Sequence, residues 1–89
     1  MKTIQLVVSG RVQGVYFRSF TKKRAIKFGI TGFVCNKENG DVEIVAQADQ
    51  ESLDNFINWC HEGPLMAKVK NVDISEHSTS EEFSQFEIH

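Results

Sequence analysis

Gly10-Arg11-Val12-Gln13-Gly14-Val15-Tyr16-Phe17-Arg18 joins a stretch of alternating character to a stretch of helical character. Upstream, residues 3–9 put Ile4, Leu6 and Val8 on one face, the period of a β-strand. Downstream, Phe17, Phe20, Thr21, Ala25 and Phe28 recur at helical spacing and read as core, and Gly29 is a natural C-terminal stop. A loop that runs from a strand into a helix start suits an anion, because the first helical N–H groups lack partners and the helix dipole is positive there. Glycines let the backbone curl until successive N–H groups converge. Arg18 falls in the first turn, where a guanidinium can grip two phosphate oxygens at once. The plainer reading is turn chemistry beside a solvated arginine, and spacing alone does not choose between the two. The stretch is not a Walker loop, since no Gly-Lys-Ser/Thr follows, and its glycines do not fit G-x-G-x-x-G.

Working outward, residues 30–36 read as a second strand and Asn39-Gly40 as a hairpin turn. Residues 41–48 return as a third strand with Val42, Ile44, Ala46 and Ala48 on one face. Asp49 is placed to cap a second helix, in which Leu53, Phe56, Ile57 and Cys60 stand at i, i+3, i+4 and i+7 before Gly63-Pro64 ends it. Residues 67–75 give a fourth strand with Val72 and Ile74 on one face. Residues 76–82 are polar and loop-like. Residues 83–88 form a short last strand, with Phe86 and Ile88 sharing a face. The order βαββαβ plus a terminal strand is the ferredoxin-like arrangement, an α+β sandwich with two helices on one face of a mostly antiparallel sheet.

Composition bounds the chemistry. Eighty-nine residues, 40% hydrophobic and 25% charged, suit a single small domain over residues 1–89. No apolar run has the length of a membrane span and no signal-peptide core follows the start, which points to the cytoplasm. Cys35 and Cys60 have no metal spacing and are too few for a disulfide framework, so free thiols are expected. His61, His77 and His89 are scattered, and no metal site is expected. Residues 1–37 carry eight of the ten Lys and Arg and none of the twelve Asp and Glu. Lys22, Lys23, Arg24 and Lys27 solvate a helix and suit its C-terminal dipole, which leaves Arg11 and Arg18 to be explained.

The stretch from Gly10 to Arg18 resembles the first signature of the acylphosphatase family, G-R-V-Q-G-V-x-F/Y-R, at every fixed position. Gly32-Phe33-Val34-Cys35-Asn36, with Gly40 and Val42 at the expected offsets, resembles the second. The similarity in layout runs over nearly the whole chain and implies the same ferredoxin-like fold. It implies a metal- and cofactor-independent hydrolase that cleaves the carboxylic–phosphoric anhydride of an acyl phosphate, with inorganic phosphate or sulfate as competing anions. Carried over by motif, Arg18 binds the phosphate and Asn36 holds the attacking water. The backbone N–H groups of Arg11, Val12, Gln13, Gly14, Val15, Tyr16, Phe17 and Arg18 form the phosphate cradle. An asparagine both accepts and donates hydrogen bonds but is no general base, so a substrate phosphate oxygen is the candidate proton acceptor. Two positions depart from the family pattern: Cys35, often basic or amide-bearing, and Ala48, usually glycine.

Two rival readings stay open at this point. The fold also serves RNA recognition, but residues 41–48 contain no aromatic and the pI of 5.9 disfavours nucleic acid. The other is a carbamoyl-phosphate-handling domain that acts with a separate partner. A monomer is expected.

Overall fold

The computed structural model describes all of residues 1–89. Its elements run β1 (Lys2–Arg11), α1 (Phe17–Phe28), β2 (Thr31–Asn36), β3 (Val42–Ala48), α2 (Gln50–Glu62), β4 (Lys68–Glu76) and β5 (Phe86–Ile88). The sheet order is β4-β1-β3-β2-β5, antiparallel throughout except for β5, which lies parallel to β2. This is the ferredoxin-like fold that the alternation of strand and helix periods predicts. No helix is long and apolar enough to cross a membrane.

The apolar face of β1 supplies Ile4, Leu6 and Val8, and that of β3 supplies Val42, Ile44, Ala46 and Ala48; all are buried. The helices close over them, α1 against β2 and β5 and α2 against β3 and β4. Phe17 of α1 meets Trp59 of α2 with ring centroids 5.7 Å apart, and Phe56 meets Phe86 of β5 at 6.3 Å. Deleting one of these rings would remove roughly 3–5 kcal/mol of burial and packing.

Two sequence expectations need correction. Phe20 is 42% exposed rather than core. The buried stripe of α1 is one residue wide, Phe17, Thr21 and Ala25, and Phe20 lies beside it with the Lys23 ammonium 5.5 Å from its ring centre. The fifth strand begins at Phe86, not at residue 83. The Phe83 N–H donates to the Gln47 side chain at 3.0 Å, and the Gln47 amide donates to the Glu81 carbonyl at 3.0 Å. This side-chain anchor takes the place of ladder bonds and ties residues 81–83 to β3. Ile74, on the face it shares with Val72, is 45% exposed on β4, which is an edge strand.

Topology gathers one end of the sheet. Val42 opens β3 and pairs with Val8 on one side and Asn36 on the other. The loop after β1, the end of β2 and, through the parallel pairing of Val34 with Ile88, the end of β5 therefore lie together. The β1–β4 ladder slips between Ser9 and Gly10. Gly10 permits the slip, since a Cβ there would overlap the Lys68 carbonyl.

Candidate active site

At that gathered end lies a cleft of about 340 Å³. The β1–α1 loop and the first turn of α1 form one wall through Val12, Gln13, Gly14, Tyr16, Phe17, Arg18 and Ser19. Asn36 and Ile88 form the other.

The loop's backbone explains why an anion suits it. Gly14 has φ 75° and Tyr16, the residue before α1, has φ 60°, so two left-handed residues flank Val15. That alternation turns successive N–H groups toward one point. A non-glycine residue in this region costs on the order of 1 kcal/mol, and such strain gathers at functional sites. Val15 is buried beneath the loop and anchors it to the core. No backbone N–H from residues 12–19 donates to an acceptor within the protein; the first helical bond of α1 runs from the Phe20 N–H to the Tyr16 carbonyl at 3.1 Å. Tyr16 gives no side-chain cap, and the first turn holds no acid.

Arg18 stands on this wall half-buried and lining the cleft, and one guanidinium N–H donates to the His89 oxygen at 3.4 Å, a long bond that a ligand can displace. Asn36 is exposed at the last position of β2 and faces the loop across the cleft. The strand alternation turns Cys35 to the other face, where its thiol lies 3.6 Å from Glu43 Oε1. Partial burial first, and then the Glu43 charge, push that thiol above its ordinary range, so it is no nucleophile at neutral pH. Burial alone raises Cys60 further. No group of three or more His, Cys, Asp or Glu side chains is placed to hold a metal ion.

The structure thus brings Arg18 and Asn36 together with five of the other seven loop residues singled out from the sequence. Val15 sits below the cleft. Arg11 ends β1 opposite Lys68 and lies with Ser9, Lys68 and Lys70 in a separate shallow depression. Extending the alternation of β1 from Val8 through Val12 would have placed Arg11 on the face away from the helices. Ile88 was missed as a cleft residue, since only the parallel pairing of β5 brings it there.

In this open-faced α+β sandwich a run of unpartnered N–H groups lies beside a guanidinium and an amide, an arrangement chemically suited to a phosphate. A sequence model described as Acylphosphatase matches residues 4–88. An acylphosphatase of Methylococcus capsulatus is 41% identical over 88 residues, with 99% of this chain and 96% of that protein covered. The crystal structure of acylphosphatase from Bacillus subtilis superposes with a TM-score of 0.96 at 34% identity, covering 100% of this chain and 99% of that one. The fold also matches a part of HypF from T. kodakarensis, with a TM-score of 0.89 and 27% identity, but there it covers only 12% of that chain. The chain belongs to the acylphosphatase family, and it is an enzyme of that class.

Proposed function

We propose that the chain hydrolyses acyl phosphates to a carboxylate and inorganic phosphate, with the phosphoryl group seated in the loop between Val12 and Arg18 and water delivered by Asn36. The observation that supports this most directly is the run of free N–H donors over residues 12–19 in a cleft shared with Arg18 and Asn36. These groups supply, as fixed dipoles and one guanidinium, the positive charge that phosphoryl transfer needs around its equatorial oxygens. Water attacks phosphorus as the bond from phosphorus to the acyl oxygen breaks. The bonding pair leaves with the carboxylate, which is stable enough to need no acid. The water proton passes to a phosphate oxygen. Asn36 accepts one hydrogen bond from the water and orients it, while Arg18 holds the phosphate from ground state to transition state.

The reaction asks for no metal, and the two thiols stand unpaired, in keeping with a reducing compartment. We further propose that residues 1–89 act as one monomeric domain in the cytoplasm, without nucleic acid or membrane partners. The test is hydrolysis of acetyl or benzoyl phosphate with and without chelator. Activity should be equal in both, inorganic phosphate and sulfate should compete with substrate, and simple phosphate monoesters should be poor substrates. Loss of activity in chelator that a divalent ion restores would overturn the mechanism, and purely uncompetitive phosphate would place the anion elsewhere.

A further inference from the structure

The Gln13 side chain reaches out of the phosphate loop and into the β2–β3 hairpin. Its Nε2 donates to the Lys37 carbonyl at 2.8 Å and to the Asp41 carbonyl at 2.9 Å. Those two carbonyls mark the neck of the hairpin, where the Lys37 N–H donates to the Asp41 carbonyl at 2.8 Å and the Gly40 N–H to the Lys37 carbonyl at 3.2 Å. One amide therefore uses both of its protons to complete the second lone pair of two carbonyls that already close the turn. Asn36 precedes Lys37, and its strand partner Val42 follows Asp41. No other hydrogen bond joins residues 12–16 to residues 36–41.

We propose that Gln13 is a positioning residue: its two-point bond sets the distance and angle between the phosphate cradle and the Asn36 amide, and so the line along which water meets phosphorus. This rests on the roles proposed above for the loop and Asn36. A single hydrogen bond would leave the hairpin free to swing about it. Two bonds to carbonyls on opposite sides of the neck fix the swing as well as the separation. In-line attack needs the water within about 3–3.5 Å of the reacting atom, and a misplacement of 1 Å can cost about 10²-fold. The cradle's own N–H groups need none of this, because they belong to the loop that carries Gln13. Gln13 therefore acts on kcat through Asn36, not on phosphate affinity.

Gln13→Met keeps the length and packing of the side chain and removes both donors. It should lower kcat by about 10- to 100-fold, with KM and the inhibition constant for inorganic phosphate within about twofold of wild type. In an Asn36→Ala background the same change should cost less than about twofold, because the group it aims is already gone. Gln13→Glu, which cannot donate and faces two carbonyls with a charge, should not recover the loss. Losses that add in full across the two sites, or a fall in phosphate affinity equal to the fall in kcat, would overturn the proposal. A second readout does not use turnover. On titration with inorganic phosphate, amide NMR should show the backbone signals of residues 12–19 shifting in both proteins, and the Asn36 side-chain signal shifting in wild type alone. If wild type bound phosphate but hydrolysed no acyl phosphate, the proposed reaction would fall while this measurement still decided the placement of Asn36. An Asn36 signal that moved equally in both proteins would sink the role given to Gln13. If Gln13→Met did not fold, Gln13→Asn, one methylene short of the hairpin but still a donor, carries the same comparison.

Discussion

At the start of α2, Asp49 accepts a hydrogen bond from the Ser52 N–H at 2.8 Å, and Glu51 stands in the first turn. At the start of α1, Tyr16 occupies the capping place with no side-chain bond and left-handed backbone angles, and the residue matching Glu51 is Arg18. Every choice at α2 serves the helix: an acceptor for an orphan donor and a negative charge at the positive end of the dipole. Every choice at α1 works against it. A basic residue there costs about 0.3–1 kcal/mol and the left-handed tyrosine on the order of 1 kcal/mol more. The same backbone device is thus closed off in one helix and held open in the other. The open end is the one that shares a cleft with Asn36. Stability given up at one end of a small domain leaves donors ready for a ligand that brings its own charge.

The contrast breaks most visibly at Arg18. Arg18→Ala should raise KM and lower kcat, with a combined loss of about 3–5 kcal/mol in transition-state stabilisation, the scale of removing one partner of a desolvated charge pair. Its folding stability in urea should hold or rise, by up to about 1 kcal/mol, because the dipole loses an unfavourable neighbour. Arg18→Lys should recover little activity, as a point charge lacks the planar fork. A variant that lost stability together with activity would make Arg18 a structural residue. Asn36 lies outside the helix and marks the limit of the comparison. Asn36→Ala should lower kcat by about 10²–10³ with KM nearly unchanged, whereas Asn36→Asp should also weaken binding by placing a charge near the phosphate. Wild-type kcat in a folded Asn36→Ala protein would return that residue to ordinary turn chemistry.

The comparison sharpens when α1 is made to resemble α2. Ser19→Glu puts a carboxylate into the first turn of α1, on the cleft wall. Phosphate inhibition should weaken about tenfold, near 1.4 kcal/mol, and urea unfolding should show a gain of about 0.3–1 kcal/mol. Tighter phosphate binding would contradict the anion cradle. The smallest effect is expected at α2. The Ser52 N–H holds the Asp49 carboxyl below its ordinary value of 3.8. A carboxyl lowered on folding adds stability above its unfolded value and loses it as pH falls through its folded value. Asp49→Ala should therefore melt below wild type at neutral pH, and the gap should close in acid below about 3.8. Asp49→Asn keeps the acceptor and should lack that pH dependence. Thermal melts across the acid range check both, and activity at neutral pH should not follow either change.

Much of this was legible because local patterns and tertiary needs agree. The helical spacing from Phe17 to Phe28 ends where the structure ends α1, and Asp49 and Gly63 bound α2 as their side chains suggest. Asn36 stood out through its place before the Asn39-Gly40 turn and its paired motif. The partners of Gln13 did not, since they are backbone carbonyls 24 and 28 residues away that any side chain at those positions would present. Gln47 escaped for a similar reason. It reads as a polar residue on the face opposite Val42, Ile44, Ala46 and Ala48, as Glu43 does, yet it is buried where residues 81–83 bond to it. Phe20 misled in the opposite sense: its spacing fits a core stripe, but the buried file of α1 runs through Phe17, Thr21 and Ala25 and Phe20 lies beside it.

Val42, paired with Val8 on one flank and Asn36 on the other, has a bearing on how activity is born. The cradle, Arg18 and Asn36 are all read out early in the chain, yet β1 and β2 are not neighbours in the sheet. A later segment must be inserted between them. The β2–β3 hairpin can form on its own, since its turn is short and bonded within itself. It must then dock on β1 across a much longer loop, which is the slower event. Return of hydrolysis during refolding should therefore follow the arrival of β3 beside β1. A chain that has made its helices and its hairpin but not that one junction holds Arg18, Asn36 and the loop without the cleft that joins them.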